Sequence, residues 1–268
     1  MELNSLFSRP KPVIGVVHLL PLPGSPGYTG DLNAIFERAI QEVQILQKGD
    51  VDGIIIENFN DFPFLNNDIP REQFGVMASI ITLARQETSL PLGVNVHFND
   101  WEAEIALAFS CRAQFVRIEA FVNAVVTPAG VVQPCCAEAT RYRKLLSAPQ
   151  PVQILADVHP KYSKNLVPYS LQESAKMAQD SLADAIIVTG ETTGIKTPLA
   201  DLQAVKNVVD LPVIAGSGTN EHNVRETLRV ADGVIVGSAL KADNNAHNMV
   251  CLEKVTAFVK AAHAVYTE

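Results

Sequence analysis

Val13-Ile14-Gly15-Val16-Val17 is a short apolar run rich in β-branched residues, and it is followed at once by a histidine, His18. Runs of the same kind recur at residues 53–56, 92–96, 115–118, 152–156, 185–188, 212–215 and 233–236, eight in all. Strands that are apolar on both faces are buried on both faces, the mark of a parallel sheet covered by helices. Segments with helical periodicity fill most of the gaps, over residues 32–47, 69–86, 101–109 and 172–180. Eight such units in 268 residues suit a closed (β/α)8 barrel, so one α/β barrel domain over 1–268 is the expected fold. A doubly wound open sheet is the competing arrangement. Asp31 is placed to cap the first helix and Gly49 to end it. Two stretches break the rhythm: the proline-rich residues 20–30, and residues 120–151, with a short helix expected around 136–146. Both extend the C-terminal rim, where barrel loops carry function.

With 47% apolar and 19% charged residues the chain is a globular protein rather than a disordered one. The net charge of −8 argues against nucleic acid as a partner, since backbone binding calls for a basic surface. The first residues do not read as a signal peptide, and no apolar run is long enough to cross a bilayer. The expected location is cytoplasmic, peripheral on a membrane at most. Cys111, Cys135, Cys136 and Cys251 lack metal-site spacing and are expected as thiols.

Chemistry gathers where the strands end. Gly216-Ser217-Gly218-Thr219 follows the seventh run and Gly237-Ser238 the eighth. Glycines let a backbone approach a ligand, successive amides cradle phosphate oxygens, and a short helix from about Glu221 is expected to add its positive end. The paired loops point to a phosphorylated small molecule. His18, Glu57, Asn58, His97, Arg117, Glu119, Asp157, His159 and Thr189 also fall at strand ends. Glu57, His97, Asp157 and His159 are the candidate catalytic residues. In this reading Glu57 and His97 are acid–base partners, Arg117 neutralises an anion or pairs with Glu119, and Asp157 orients His159 or accepts a proton. The blander alternative is a satisfied polar network filling the barrel. No cofactor is implied outright. A divalent metal held by two or three of His18, His97, His159 and the carboxylates is the weaker reading, because strand one lacks a His-x-His pair. Lysine imine chemistry is disfavoured too: Lys161 and Lys196 fall in loops, where solvated roles are expected.

Longer motifs add a resemblance. They are the segment from Gly15 to Pro26, Val51-Asp52-Gly53-Ile54-Ile55-Ile56-Glu57-Asn58-Phe59, Arg141-Tyr142-Arg143, Ala156-Asp157-Val158-His159, the segment from Ala185 to Gly190, Thr193-Gly194, and the two glycine loops with Asp232-Gly233-Val234-Ile235-Val236. In this order they resemble the BtpA family, also called BtpA/SgcQ. The resemblance implies a TIM barrel of the ribulose-phosphate-binding type. It also implies a photosystem I biogenesis or stabilisation role, with photosystem I proteins or their assembly factors as partners, peripheral on the cytoplasmic side of the thylakoid. Related bacterial and archaeal proteins lack photosystems, so for them a phosphorylated sugar or nucleotide is the natural ligand. No reaction carries over, which keeps open an enzyme acting on such a compound and a noncatalytic metabolite-binding protein. A homo-oligomer is expected of such barrels. The chain departs from the family at Thr127-Pro128-Ala129-Gly130-Val131-Val132-Gln133-Pro134, where two carboxylates are missing. It departs again at Lys161-Tyr162, where Lys-His is usual, and around residues 244–252.

Overall fold

The computed structural model describes residues 6–146, 151–190 and 197–267. Eight strands close into a parallel barrel: β1 (Val13–His18), β2 (Gly53–Glu57), β3 (Leu92–Asn95), β4 (Phe115–Ile118), β7 (Gln153–Val158), β9 (Ala185–Val188), β10 (Val213–Ala215) and β11 (Gly233–Val236). β1 pairs with both β2 and β11, which closes the ring. The open doubly wound alternative is thereby excluded. The missing numbers belong to a three-stranded antiparallel sheet on the rim, built from β5 (Val125–Thr127), β6 (Gly130–Val132) and β8 (Lys164–Asn165).

Outside the ring lie α1 (Leu32–Lys48), α2 (Arg71–Glu87), α3 (Trp101–Ser110), α4 (Cys136–Leu146), α5 (Leu171–Asp180), α6 (Leu199–Lys206), α7 (Val224–Val230) and α8 (Leu252–His263). Asp31 caps α1 by accepting from the Ala34 amide at 3.1 Å. Gly49 ends the helix, but the left-handed turn falls on Asp50 (φ 66°). Glycine is required at 49 for another reason: a Cβ there would lie 2.2 Å from Val255 Cγ1 of α8.

Two cores result from the two faces of each strand. One lies between strands and helices; the other fills the barrel with Ile14, Val16, Ile55, Phe115, Leu155, Ile187, Ile214 and Ile235. β3 contributes no apolar side chain to that interior because Gly93 stands at its inward position. A Cβ there would lie 2.2 Å from Phe115 Cε2, so the phenyl ring of the next strand occupies the space.

Three expectations are corrected. Residues 120–151 hold more than one short helix, because Val125–Thr127 and Gly130–Val132 form a hairpin ahead of α4. α7 begins at Val224, later than the expected start near Glu221, and has only 7 residues. The membrane association is also corrected: among the described residues no helix is long and apolar enough to cross a membrane. Leu19 and Leu22, at the start of the proline-rich loop, are buried.

Gly93→Ala should destabilise the barrel by about 1–3 kcal/mol through overpacking, and adding Phe115→Leu should recover part of that loss. Urea unfolding of the two single variants and the double variant measures this; strictly additive costs would show that the ring is not what the glycine accommodates.

Candidate functional site

Successive side chains of a strand face opposite sides, so the inward positions continue in steps of two. Two residues beyond the apolar interior layer the same inward register reaches His18 on β1, Glu57 on β2, Asn95 on β3, Arg117 on β4 and Asp157 on β7. Past β9, β10 and β11 it reaches Thr189, Gly216 and Gly237. The C-terminal mouth is thus a polar layer laid directly on an apolar one.

Glu57 sits at its centre, 5% exposed, with Oε1 3.1 Å from His18 Nε2 and 3.7 Å from His97 Nε2. Burial alone would raise its pKa, but the hydrogen bond and charge of His18, with those of His97, hold it well below the usual carboxylate range. His18 Nδ1 faces the Ala246 carbonyl at 2.8 Å and therefore donates to it. The contact of its other nitrogen with Glu57 then needs one proton between ring and carboxylate. His97 Nδ1 lies 2.8 Å from Glu119 Oε1, an ion-pair contact without good hydrogen-bond alignment. Burial lowers the His97 pKa, yet the Glu119 and Glu57 carboxylates outweigh it and raise the imidazolium to about 9.

Beneath this cluster, Asn95 Nδ2 donates to Glu119 Oε1 at 2.9 Å, to the Arg117 carbonyl at 2.9 Å and to Glu104 Oε1 at 3.1 Å. Glu104 of α3 is fully buried, and burial followed by the neighbouring Glu119 charge raises its pKa well above normal. A neutral Glu104 leaves the negative charge of the pair on Glu119, against His97.

On the opposite side Arg117 Nε donates to Asp157 Oδ2 at 2.7 Å, and Thr189 Oγ1 to Asp157 Oδ1 at 2.5 Å. Although its burial opposes the charge, Asp157 and the other carboxylates push the Arg117 pKa further up. Arg117 therefore pairs with Asp157, not with Glu119. Gly216 is required here, since a Cβ would lie 2.6 Å from Thr189 Oγ1 and 2.5 Å from Ile187 Cγ2.

Lys161 lines the same mouth, contrary to its expected solvated role. Burial and then the Arg117 charge lower its ammonium to about 8, against the pull of Glu57, Asp157 and Glu119. Each of those carboxylates already has a cationic partner. Lys161 has no hydrogen-bond or ion-pair partner among the described residues. Lys196 lies outside the described residues.

The mouth has two lobes that meet over Glu57, Phe59, Arg117 and Lys161. The smaller, about 50 Å³, is walled by Gly216–Thr219, Gly237 and Ser238. The larger, about 530 Å³, is walled by aromatic side chains and by Thr127, Pro128 and Ala129 of the rim hairpin. The Gly216 amide is committed to the Val188 carbonyl at 2.8 Å. Among the described residues no acceptor takes the amides of Ser217, Gly218, Thr219, Gly237 or Ser238. Gly218 has φ +67°, a left-handed conformation that turns the loop and favours glycine.

Two expected site residues stay out of the mouth. Asn58 follows the outward register of β2 and instead holds the backbone of the next strand's end, accepting from the His97 amide at 2.7 Å. His159 has φ 56°, which breaks the alternation after β7, and its Nε2 lies 3.2 Å from Ser174 Oγ of α5. It lines neither lobe, so Asp157 orients Arg117 and not this histidine. The same turn leaves the metal reading without its third histidine, and among the described residues no group of three or more His, Cys, Asp or Glu can hold a metal ion. Asn95, Glu104 and Lys161 were not singled out as site residues. Asn95 was accessible by counting two back from His97; the other two come from a helix and a loop whose approach no local signal records.

A parallel eight-stranded barrel with a charged, glycine-walled mouth at the C-terminal strand ends is the class of protein that these features define. The chain matches the BtpA family over residues 9–264 and belongs to it. It is 38% identical to the uncharacterized protein PYRAB10620 of Pyrococcus abyssi, covering 96% of this chain and 98% of the relative. It is also 38% identical to the photosystem I biogenesis protein BtpA of Synechocystis, covering 97% and 91%. Among solved structures it resembles the thiamine phosphate pyrophosphorylase of Pyrococcus furiosus (TM-score 0.58, 18% identity, 96% of both chains). It resembles as well N-(5'-phosphoribosyl)anthranilate isomerase from the same organism (TM-score 0.55, 15% identity, 95% and 100%). At such identities the likeness is one of fold.

The raised His97 pKa has a readable consequence. Its ion pairs contribute stability that is fully present below about 6.5, the unfolded value, and is lost as pH rises through about 9. NMR of the imidazole should show His97 still charged at neutral pH, and Glu119→Gln should bring its titration down toward 6.5. A wild-type midpoint already at 6.5 would refute the charge assignment.

Proposed function

We propose that this BtpA-family protein binds a small phosphorylated metabolite in the mouth of the barrel, with its phosphate in the smaller lobe. The observation that carries the reading is the set of amides at Ser217, Gly218, Thr219, Gly237 and Ser238, which line that lobe and have no acceptor among the described residues. Main-chain N–H groups without an acceptor are costly when enclosed and well suited to an oxyanion. About 10–15 Å³ is enough to admit one water, so the 50 Å³ lobe has room for a small polar group. Lys161 and Arg117 stand at its edge, and among the described residues no carboxylate pairs with Lys161.

Glu57, His97, Asp157, Arg117 and Glu119 are then the groups that face the rest of the ligand. Their charge states favour electrostatic stabilisation over proton shuttling at rest. Glu57 is held too acidic for a strong base, and His97 at about 9 is too weak an acid to match neutral pH. A ligand that separates His97 from Glu57 would relax both shifts. Lys161, at about 8, lies nearer to neutrality and suits proton transfer or anion pairing next to the phosphate.

A second reading, support of photosystem I biogenesis, draws on the name of the Synechocystis relative. The Pyrococcus abyssi relative, equally identical, is not named for that role, which favours a pocket chemistry common to both. Restored photosystem I accumulation, when this chain replaces the relative in Synechocystis, would favour the second reading; no restoration would count against it.

Calorimetric titration with inorganic phosphate tests the main reading. Saturable binding at one site per chain is expected, weakened about tenfold or more by Lys161→Gln, the loss of one charge-assisted contact. Absence of phosphate binding between pH 6 and 8, in buffer without competing anions, would overturn it.

A further inference from the structure

We infer that the ligand of this mouth is a phosphate ester whose body is a flat unsaturated ring, an aryl or nucleobase-like group, lodged in the larger lobe. The inference rests on the phosphate reading above and deepens it by naming the substrate class. Its starting point is the contrast between two lobes that share a floor. One is walled mainly by Gly216–Thr219, Gly237 and Ser238; the other by Phe62, Phe64, Phe98 and Tyr162, with Phe59 shared between them. At 530 Å³ the second lobe lies within the usual 300–1,000 Å³ range of ligand pockets and is about ten times the first. A bare phosphate or a small sugar phosphate would leave it largely empty.

Phe62 is 64% exposed and Tyr162 58% exposed. Large rings held in water at a cavity entrance are an unusual use of apolar surface, and such patches mark binding grooves. The rings are also set at angles to one another. Phe62 meets Phe64 edge to face at 5.9 Å, and Phe64 lies 4.8 Å from the His97 ring at a 33° tilt. Angled aromatic walls give a flat guest both faces and edges to meet.

The polar groups of the lobe separate a ring from other occupants. Sugar hydroxyls could reach the charged floor, but those turned toward the phenyl walls would lose water without gaining partners. A saturated or isoprenoid chain would suit the phenyl walls but would lie against Arg117, Asp157, His97 and Glu119, which line the same lobe. It would also lose more conformational freedom on binding than a rigid ring. A flat heterocycle or substituted aryl ring presents apolar faces to the phenyl walls and a polar edge to the charged floor. Its link to the phosphate would pass over Glu57, Phe59, Arg117 and Lys161, where the lobes join.

The test is calorimetry of the full chain with inorganic phosphate, ribose 5-phosphate, phenyl phosphate, adenosine monophosphate and farnesyl phosphate under one set of conditions. The two ring-bearing esters should bind about tenfold or more tightly relative to phosphate and ribose 5-phosphate, the return from burying one ring. That ratio should fall toward one in Phe62→Ala, a variant at an exposed side chain whose loss leaves the core intact. Phosphate binding with no gain from a ring would overturn this inference and leave the phosphate reading standing. Farnesyl phosphate binding more tightly than both ring esters would overturn it in favour of a flexible chain. Failure of every compound to bind would remove both readings.

Discussion

The feature on which the rest depends is the alternation of side chains across strands that are closed into a ring. Each strand must send every second residue to the barrel axis, where no solvent reaches until the strand ends. The inward residues are therefore apolar through Val16, Ile55, Phe115, Leu155, Ile187, Ile214 and Ile235. One step further they become His18, Glu57, Arg117, Asp157, Thr189, Gly216 and Gly237. Closure converts eight separate strand ends into one ring of facing groups. A polar layer of that kind is a consequence of the register, and its contents are what distinguish this barrel from another.

Packing so many charges into one layer forces them to pair, since an unpaired buried charge is costly. Glu57 is shared by two histidines, Asp157 is taken by Arg117 and Thr189, and Glu119 by His97 and Asn95. Among the described residues what is left without a partner is a cation, Lys161, and a row of main-chain amides. These are hydrogen-bond donors suited to an anion, although the whole chain carries −8. Net charge therefore does not decide which ligand such a cleft accepts.

The layer is held by groups that line neither lobe. Asn58 positions the His97 backbone, and Asn95 ties Glu119 to Glu104. The segment after β11 folds back so that the Ala246 carbonyl fixes His18. That segment is itself anchored by Lys241, whose ammonium bonds Glu42 of α1 at 2.9 Å with both side chains wholly buried. Removing either partner would leave the other charge buried alone, so the pair holds the segment in one arrangement.

The sequence by itself determined the number, order and approximate bounds of the barrel strands, because doubly buried strands must be apolar throughout and leave an unbroken β-branched signal. It also placed the mouth, since polar residues and glycines follow those runs at once. Much of the register was legible too: counting in twos from Phe115 reaches Arg117 and Glu119, and the same count sends Asn58 outward. Only the tertiary structure decided which of these groups meet. His159 leaves the mouth through one left-handed residue, a backbone choice that its side chain does not announce. The rim hairpin escaped notice although two β-branched runs flank Pro128-Ala129, because three-residue strands gain their stability from neighbours rather than from propensity. Lys161, Glu104 and Lys241 were read past for a common reason. A charge on a loop or helix looks solvated until a distant element folds over it, and burial is a property of the assembled chain.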